Sequence, residues 1–561
     1  MSWEFYVNHY SDSEQAHRDS KYTWRAANGS LYVGNQPPED YEPLGILYPR
    51  TGTLGGCGNH NAMNLALPPD NDWEHIANLT GDSSWRASNM RRIFQRLENN
   101  QYVPNGTEGH GFSGWLASNQ NDRALLPPLT GFLEVVRNAF AVLTGSRPNS
   151  TEETISRLAR DMNRLDPARY ERDDVYQLTL HVDSLRRRSS AQTYLRDTIN
   201  ELNADGTPRY PLTILTNALA TKILFEESSN STRPRAIGVE YLRGQALYRA
   251  DRRNNGLQVG IPNNVTATRE VIISAGAFNT PQLLKLSGIG PRSELEEFDI
   301  PVLVDLPAVG ENLQDNYEGG IHVQASVDFE TAYENCTFLN PGDPCLRQWR
   351  EDGSGPYGQG AAPVSMLYRS SVSENSDADL FFFGGAAALF RGHFDGFSAV
   401  QPPRSTFFWS IVKMQVQNRA GTVRLRSADP QDTPLIDFNF FAQGGDHDLQ
   451  ALSEGIEIAQ RIFNSTGAPY GPFTQIEPIP GRDVRQALRD ETFSHHASSS
   501  CAIGPVNGTG TCVDSRFRVQ GVEGLRVVDA SVFPRVPGAF PILPTFMVSE
   551  KATDVILEDN A

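Results

Sequence analysis

The stretch that most restricts the fold is TATREVIISAGAFNTPQLLKLSGIG (266–290). VIIS is a short apolar run without alternation, as expected of a strand buried on both faces. Ala-Gly ends it. AFNTPQLLKLSGIG then reads as a helix: Thr280 is a candidate N-cap, Pro281 suits the first helical position and Gly288 suits the stop. Buried strand, glycine turn and capped helix make up the unit from which nucleotide-binding α/β sheets are built. GLRVVDASVFP (524–534) is a second such piece, with Asp529 at the carboxyl end of LRVV. Ligands of open α/β sheets sit at such ends, so Asp529 either touches one or caps the segment that follows.

Between these pieces the pattern changes. DADLFFFGGAAALF, STFFWSIVKMQV and GTVRLRSADPQDTPLIDFNFF are β-rich with turn signals between them, which predicts a separate, mainly antiparallel sheet. Residues 86–98, 134–143 and 448–463 carry helical spacing of apolar positions. The chain therefore runs α/β, then β-rich, then α/β again, and the α/β domain is discontinuous. The most apolar stretch, ASVFPRVPGAFPILPTFMV (530–548), contains Arg535 and four prolines, so it predicts a buried loop and turn region and no membrane span. With 49 basic and 67 acidic residues the formal charge is −18, which disfavours nucleic acid and anionic lipid as partners.

Nine Asn-X-Ser/Thr sequons occur, at Asn28, Asn78, Asn105, Asn149, Asn230, Asn264, Asn335, Asn464 and Asn507. They point to glycosylation in the secretory pathway. Five cysteines agree with that: Cys336 and Cys345, and Cys501 and Cys512, are spaced to close two small disulfide loops, leaving Cys57 over. Five free buried thiols in a cytosolic protein is the competing reading. The N-terminal segment, MSWEFYVNHYSDSEQAHRDSKY, has no apolar signal-peptide core.

Four motifs carry a resemblance. They are PRTGTLGGCGNHNAMN (49–64), GAFNTPQLLKLSGIGP (276–291), LPAVGENLQDN (306–316) and VDSRFRVQGVEGLRVVDASVFP (513–534), the last continuing to SEKATDVI (549–556). In this order they resemble the glucose–methanol–choline (GMC) family of flavin-dependent oxidoreductases, from about residue 42 to the end. The resemblance implies an α/β, Rossmann-like FAD-binding domain assembled from 1–85, 205–305 and 497–561. An α+β substrate domain with a mainly antiparallel sheet would take 86–204 and 306–496. It places Arg50, Gly55, Gly56, Cys57, His60, Asn61, Ala62, Ala220, Asp529, Ala530 and Pro541 at the cofactor, and no metal site. Glycines in the loop suit a flat ring, since backbone N–H groups approach where a β-carbon would collide.

GGCGNHN reproduces the run in which choline-oxidase-like members bond a histidine covalently to the 8α carbon of the flavin, so the resemblance implies that link at His60. A loop histidine hydrogen-bonding near the ring is the alternative. The family's base lies in a His-X4-Cys segment, which His496 and Cys501 match in TFSHHASSSCAIG. A neutral imidazole suits removal of a hydroxyl proton while hydride leaves for flavin N5. The second catalytic position of the family, usually histidine or asparagine, falls on Phe540, which has no hydrogen-bonding group. His322, His393 and Arg535 are candidate replacements, and phenylalanine there suits an apolar or aromatic substrate.

Members of the family begin with a strand–Gly-X-Gly-X-X-Gly–helix unit for the FAD pyrophosphate. No such unit opens this sequence, so the expectation is a chain lacking some tens of residues, any leader included. The implied activity is oxidation of an alcohol to an aldehyde or ketone, on a small or aromatic alcohol of the secondary-metabolite kind, with oxygen or a quinone-like carrier as acceptor. A lyase with redox-idle flavin and a truncated, non-catalytic glycoprotein are the alternatives.

Overall fold

A six-stranded antiparallel sheet runs in the order Thr474–Glu477, Tyr317–Gln324, Thr406–Lys413, Leu380–Ala386, Val364–Tyr368, Asp174–Tyr176. The structure, a computed structural model, describes residues 2–226, 233–338, 340–360 and 362–561. TFFWSIVK is continuous rather than alternating because its strand is buried at every position. Phe407, Trp409 and Ile411 pack in the core shared with the helices Thr130–Thr144 and Gly445–Asn464. Phe408 and Val412 point the other way, into an aromatic cluster with Phe381, Phe383 and Phe540. Each buried phenylalanine contributes about 1.5–3 kcal/mol by leaving water, so both faces of this sheet are fixed.

The α/β piece is a parallel pair, Val271–Ile273 with Leu525–Val527, and the helix Gly276–Leu286 follows the first strand. That helix starts earlier than its sequence suggests. Ala275 holds the cap position, and Thr280 and Pro281 lie inside. Proline is tolerated because the carbonyl it leaves unpaired, Ala277 O, accepts a hydrogen bond from Ser500 Oγ at 2.6 Å. Thr280 is not the N-cap residue; from inside the helix its hydroxyl accepts from Ala275 N at 3.2 Å and donates to Asp529 Oδ2 at 2.6 Å.

The proline-rich stretch also differs from its reading as loop and turn. Only its first part is irregular, and Ile542–Asp559 is an 18-residue helix. Pro541 stands at its N-cap and Pro544 in its first turn, where backbone N–H groups have no helical acceptor to lose. The helices expected near 86–98, 134–143 and 448–463 are present as Ala87–Leu97, Thr130–Thr144 and Gly445–Asn464.

Two of the remaining sheets run Ser2–Val7, Glu42–Thr51, Tyr22–Arg25, Leu31–Val33, and Ile261–Thr266, Ala236–Arg243, Ala218–Phe225, each in that spatial order and antiparallel. Disulfides join Cys336 to Cys345 and Cys501 to Cys512, and Cys57 is free. Among the described residues, no helix is long and apolar enough to cross a membrane.

Candidate active site

The strand Glu42–Thr51 carries Tyr48 and Arg50 into the interior and ends at the glycine loop. Arg50 lies over the rings of Tyr48 and Phe278, with its guanidinium carbon 4.6 and 5.3 Å from their centroids. Its Nη1 donates to His495 O at 3.1 Å and reaches Cys57 Sγ at 3.9 Å. One guanidinium thus joins the loop to the two-histidine segment.

The loop itself turns on Gly55 and Gly56, both at positive φ (84° and 57°), into a short turn over Gly56–Asn59. A side chain at Gly55 would meet Gln192 N at 2.7 Å, whereas at Gly56 nothing lies within 4 Å. His60 and Ala62 are exposed on this open side. Burial raises the Cys57 thiol, but the Arg50 charge and a hydrogen bond from His60 outweigh it and bring the thiol down to about 6. Asn61 faces inward: its Oδ1 accepts from Met63 N (3.1 Å), His181 Nε2 (3.0 Å) and Arg188 Nη1, and its carbonyl accepts from Arg188 Nη2 at 2.8 Å.

His496 is buried, and its surroundings fix its proton. Asn316 Nδ2 donates to Lys413 O (3.2 Å) and Gly538 O (3.1 Å), so its Oδ1 is the atom turned to His496 Nδ1, 3.0 Å away. An acceptor there makes Nδ1 the N–H and leaves the lone pair on Nε2. The backbone is pinned as well: His496 N donates to Asp315 Oδ1 at 2.8 Å, Tyr48 donates to Asp315 Oδ2, and Ala497 N donates to Tyr48 Oη at 2.8 Å. Burial, then the charges of Arg50 and His393, hold His496 down to about 3. It is neutral at any ordinary working pH.

Phe540 stands edge-on to His496, with centroids 5.6 Å apart at 87°. It packs on Phe381 and Phe383 from the six-stranded sheet, at 5.1 and 6.1 Å. Of the three candidate polar replacements, His393 lies against the histidine pair, its ring 5.3 Å from that of His495. His322 is held by Glu477 and by Phe390 O, both at 2.9 Å. Arg535 pairs with Asp72 at 2.9 Å.

The sequence matches the GMC oxidoreductase N-terminal pattern over residues 44–318 and the C-terminal pattern over 417–549, so both the loop and the His496 segment lie inside matched regions. The chain belongs to the GMC oxidoreductase family. An oxygen-dependent choline dehydrogenase from Brucella anthropi is 28% identical over 522 residues, which are 91% of this chain and 82% of that protein. One from Pseudomonas fluorescens is 33% identical over 380 residues, 66% of this chain and 59% of that protein. Among solved structures, a formate oxidase from Aspergillus oryzae superimposes with a TM-score of 0.70 at 19% identity, covering 96% of this chain and 88% of its own. A fungal aryl-alcohol oxidase gives 0.66 at 18% identity, covering 99% and 94%. The fold is that of the GMC enzymes, with an FAD-binding domain and a substrate domain built on an antiparallel sheet. Members are FAD-dependent oxidoreductases acting on CH–OH groups.

The glycine loop fits the ring end of the GMC cofactor. Its backbone is open at Gly56, His60 is exposed beside it, and the backbone of the two-histidine segment is tied to it through Arg50, which donates to His495 O. The phosphate end has no comparable cradle among the described residues. Asp529, read either as a ligand contact or as a cap, caps the turn that follows it: its Oδ1 accepts from Ser531 N (2.7 Å), and its Oδ2 accepts from Gly276 N (2.8 Å) and Thr280 Oγ1. Two literal Gly-X-Gly-X-X-Gly matches, GHGFSG (109–114) and GSGPYG (353–358), open no helix; the first leads into the strand Leu116–Gln120 and the second into a single short turn. Ala530 and Pro541 flank the Phe540 loop. Ala220 is exposed on the three-stranded sheet, paired with Tyr241.

The sequence did not single out Asp315 and Asn316, which hold His496, Glu318, which faces His495 Nδ1 at 3.6 Å, or Arg188, which anchors Asn61. Asp315 and Asn316 end the motif LPAVGENLQDN, so the signal for them was present; their partners lie 181 and 180 residues away and carry no local trace.

Proposed function

We propose that this GMC enzyme oxidises an alcohol to an aldehyde or ketone with His496 as the base. The observation that carries the reading is the tautomer set by Asn316: a neutral buried imidazole with its lone pair on Nε2 accepts a hydroxyl proton without first losing one of its own. When bound, FAD supplies the hydride acceptor. The protein's residues do the rest. Asp315 and Tyr48 hold the His496 backbone, and Arg50 fixes the loop against it. Phe540, backed by Phe381 and Phe383, sets an apolar ring beside the base, which favours an aromatic or other apolar alcohol.

The test is anaerobic. The full chain is reconstituted with FAD, and the 450 nm band is followed after adding a panel of primary and secondary alcohols. Bleaching by an aromatic alcohol is expected, slowed by about 10²–10⁴-fold in His496→Ala. No bleaching with any alcohol would refute the reading. Acid precipitation of the same sample reports on His60: flavin that stays with the pellet supports the covalent link, and flavin wholly in the supernatant refutes it.

We further propose an N-glycosylated protein that matures in an oxidising compartment. Eight sequon asparagines (Asn28, Asn78, Asn105, Asn149, Asn264, Asn335, Asn464, Asn507) are exposed, and Asn230 lies outside the described residues. Asparagine elsewhere in the chain is often buried, as at Asn64, Asn100, Asn119, Asn138, Asn163 and Asn316. That contrast, with both cysteine pairs placed to bridge, supports the reading. A mass shift on endoglycosidase treatment of material from a eukaryotic secretory host is expected; an unshifted mass would overturn it.

A further inference from the structure

Phe540 leaves the site with a proton acceptor and, at the position where the resemblance expects one, no group to donate to the substrate oxygen. The neighbouring histidine supplies one. His495 and His496 lie side by side, with ring centroids 4.2 Å apart and planes inclined at 50°. His495 Nδ1 is buried without a hydrogen-bond partner, and so is Glu318 Oε2; the two face each other at 3.6 Å. About a quarter of the His495 side chain is exposed although Nδ1 is not, so its open edge is turned away from Glu318. Asn316 and Glu318 are two residues apart where the strand Tyr317–Gln324 begins, so they project to one side of the chain, and each meets one of the paired imidazoles.

We infer that Glu318 is a positioning residue that accepts no proton but gives its O–H to His495 Nδ1, making His495 an Nε2–H donor to the substrate oxygen. The adjacent histidines then hold opposite tautomers: His496 Nε2 takes the hydroxyl proton, and His495 Nε2–H hydrogen-bonds the oxygen as it becomes a carbonyl. His495 transfers no proton, and the hydride leaves the substrate carbon for the flavin. The inference rests on the alcohol-oxidation reading above.

The electrostatics agree. Burial, then the Asp315 carboxylate working against the Ser410 hydrogen bond, brings Glu318 up to about 8, so it keeps its proton at neutral pH. Burial first, then His496, His393, Arg50 and His60, hold His495 well below the ordinary histidine range, so it stays neutral. The 3.6 Å separation is longer than a hydrogen bond, and contacts of this kind tighten when substrate binds.

The experiment is ¹⁵N-histidine NMR on the full chain, with resonances assigned through His495→Asn and His496→Asn. An Nε2–H pattern for His495 and an Nδ1–H pattern for His496 at pH 7 are expected; an Nδ1–H pattern for His495 overturns the proposal. Glu318→Leu should abolish the single His495 tautomer and Glu318→Gln, whose amide N–H still donates, should keep it. An unchanged pattern in Glu318→Leu is a second refutation. In anaerobic bleaching, His495→Phe should slow the rate by about 10²-fold or more with little change in substrate affinity, and His495→Asn should recover part of that. Equal rates for His495→Phe and wild type would remove the donor role. If wild type bleaches with no alcohol, the oxidation reading and the substrate role fall together, and the tautomer result alone decides the Glu318–His495 pair.

Discussion

Asn316→Asp changes one atom and should move the working pH of the enzyme. In the wild type the amide oxygen lies 3.0 Å from His496 Nδ1, and burial with the Arg50 charge keeps the imidazole neutral down to about pH 3. A carboxylate in the same place favours the imidazolium. At 3.0 Å and an effective dielectric of 20 the attraction is about 5.5 kcal/mol, which corresponds to about four pH units. The acid limb of kcat/KM should therefore climb from the acid extreme into the neutral range, because a protonated base cannot accept the hydroxyl proton. Stopped-flow anaerobic bleaching from pH 4 to 9 measures it: flat for wild type down to the acid end, falling tenfold per pH unit below neutrality for the variant. An acid limb in the same place for both proteins would refute the role given to Asn316. A uniform drop at all pH values would show that the carboxylate disturbs packing at Lys413 O and Gly538 O instead of charging the base.

Three other perturbations test the rest of the frame. Phe540→Ala removes a buried ring from the aromatic cluster and should cost about 3–5 kcal/mol in chemical denaturation while erasing any preference for aromatic over aliphatic alcohols. Lys285 is buried and donates to Glu294 Oε2 and Val423 O, both at 2.7 Å; Lys285→Met should cost about 3–5 kcal/mol, and Lys285→Met with Glu294→Leu should recover most of it. Stability against pH should fall on both sides of neutrality. Burial depresses His181 and His393 to about 4 and His496 to about 3, so their contribution is whole above the unfolded value near 6.5 and is lost as pH drops toward those folded values. His110 runs the other way: burial lowers it, but hydrogen bonds to Asp161 and Glu98 outweigh that and bring it up to about 9, so its contribution is whole below 6.5 and is lost as pH rises through 9. Denaturation midpoints across pH 4–10 check both limbs, and in His110→Gln the alkaline limb should flatten.

The sequence by itself determined the family, the glycine loop and the histidine proposed as the base. Each of these is local: a ring needs a run without side chains, and His496 sits five residues before Cys501 in one uninterrupted segment. Both disulfide pairs were legible for the same reason, their partners being 9 and 11 residues apart. Local chemistry misled where a distant group supplied what the backbone lacked. Pro281 read as a helix start, because nothing nearby shows that Ser500 satisfies the carbonyl it strands. Asp529 was legible as a cap of the segment after it, but its other partners, Gly276 and Thr280, lie some 250 residues away and left no local trace. The tertiary structure alone decided which of His322, His393 and Arg535 lies against His495, and which nitrogen of His496 carries its proton. Tautomers and ion pairs are set at distances near 3 Å, and the antiparallel backbone bridges Gln314–Ser498 and Glu318–Phe493 bring Asn316 and Glu318 to the two histidines that follow them by nearly 180 residues.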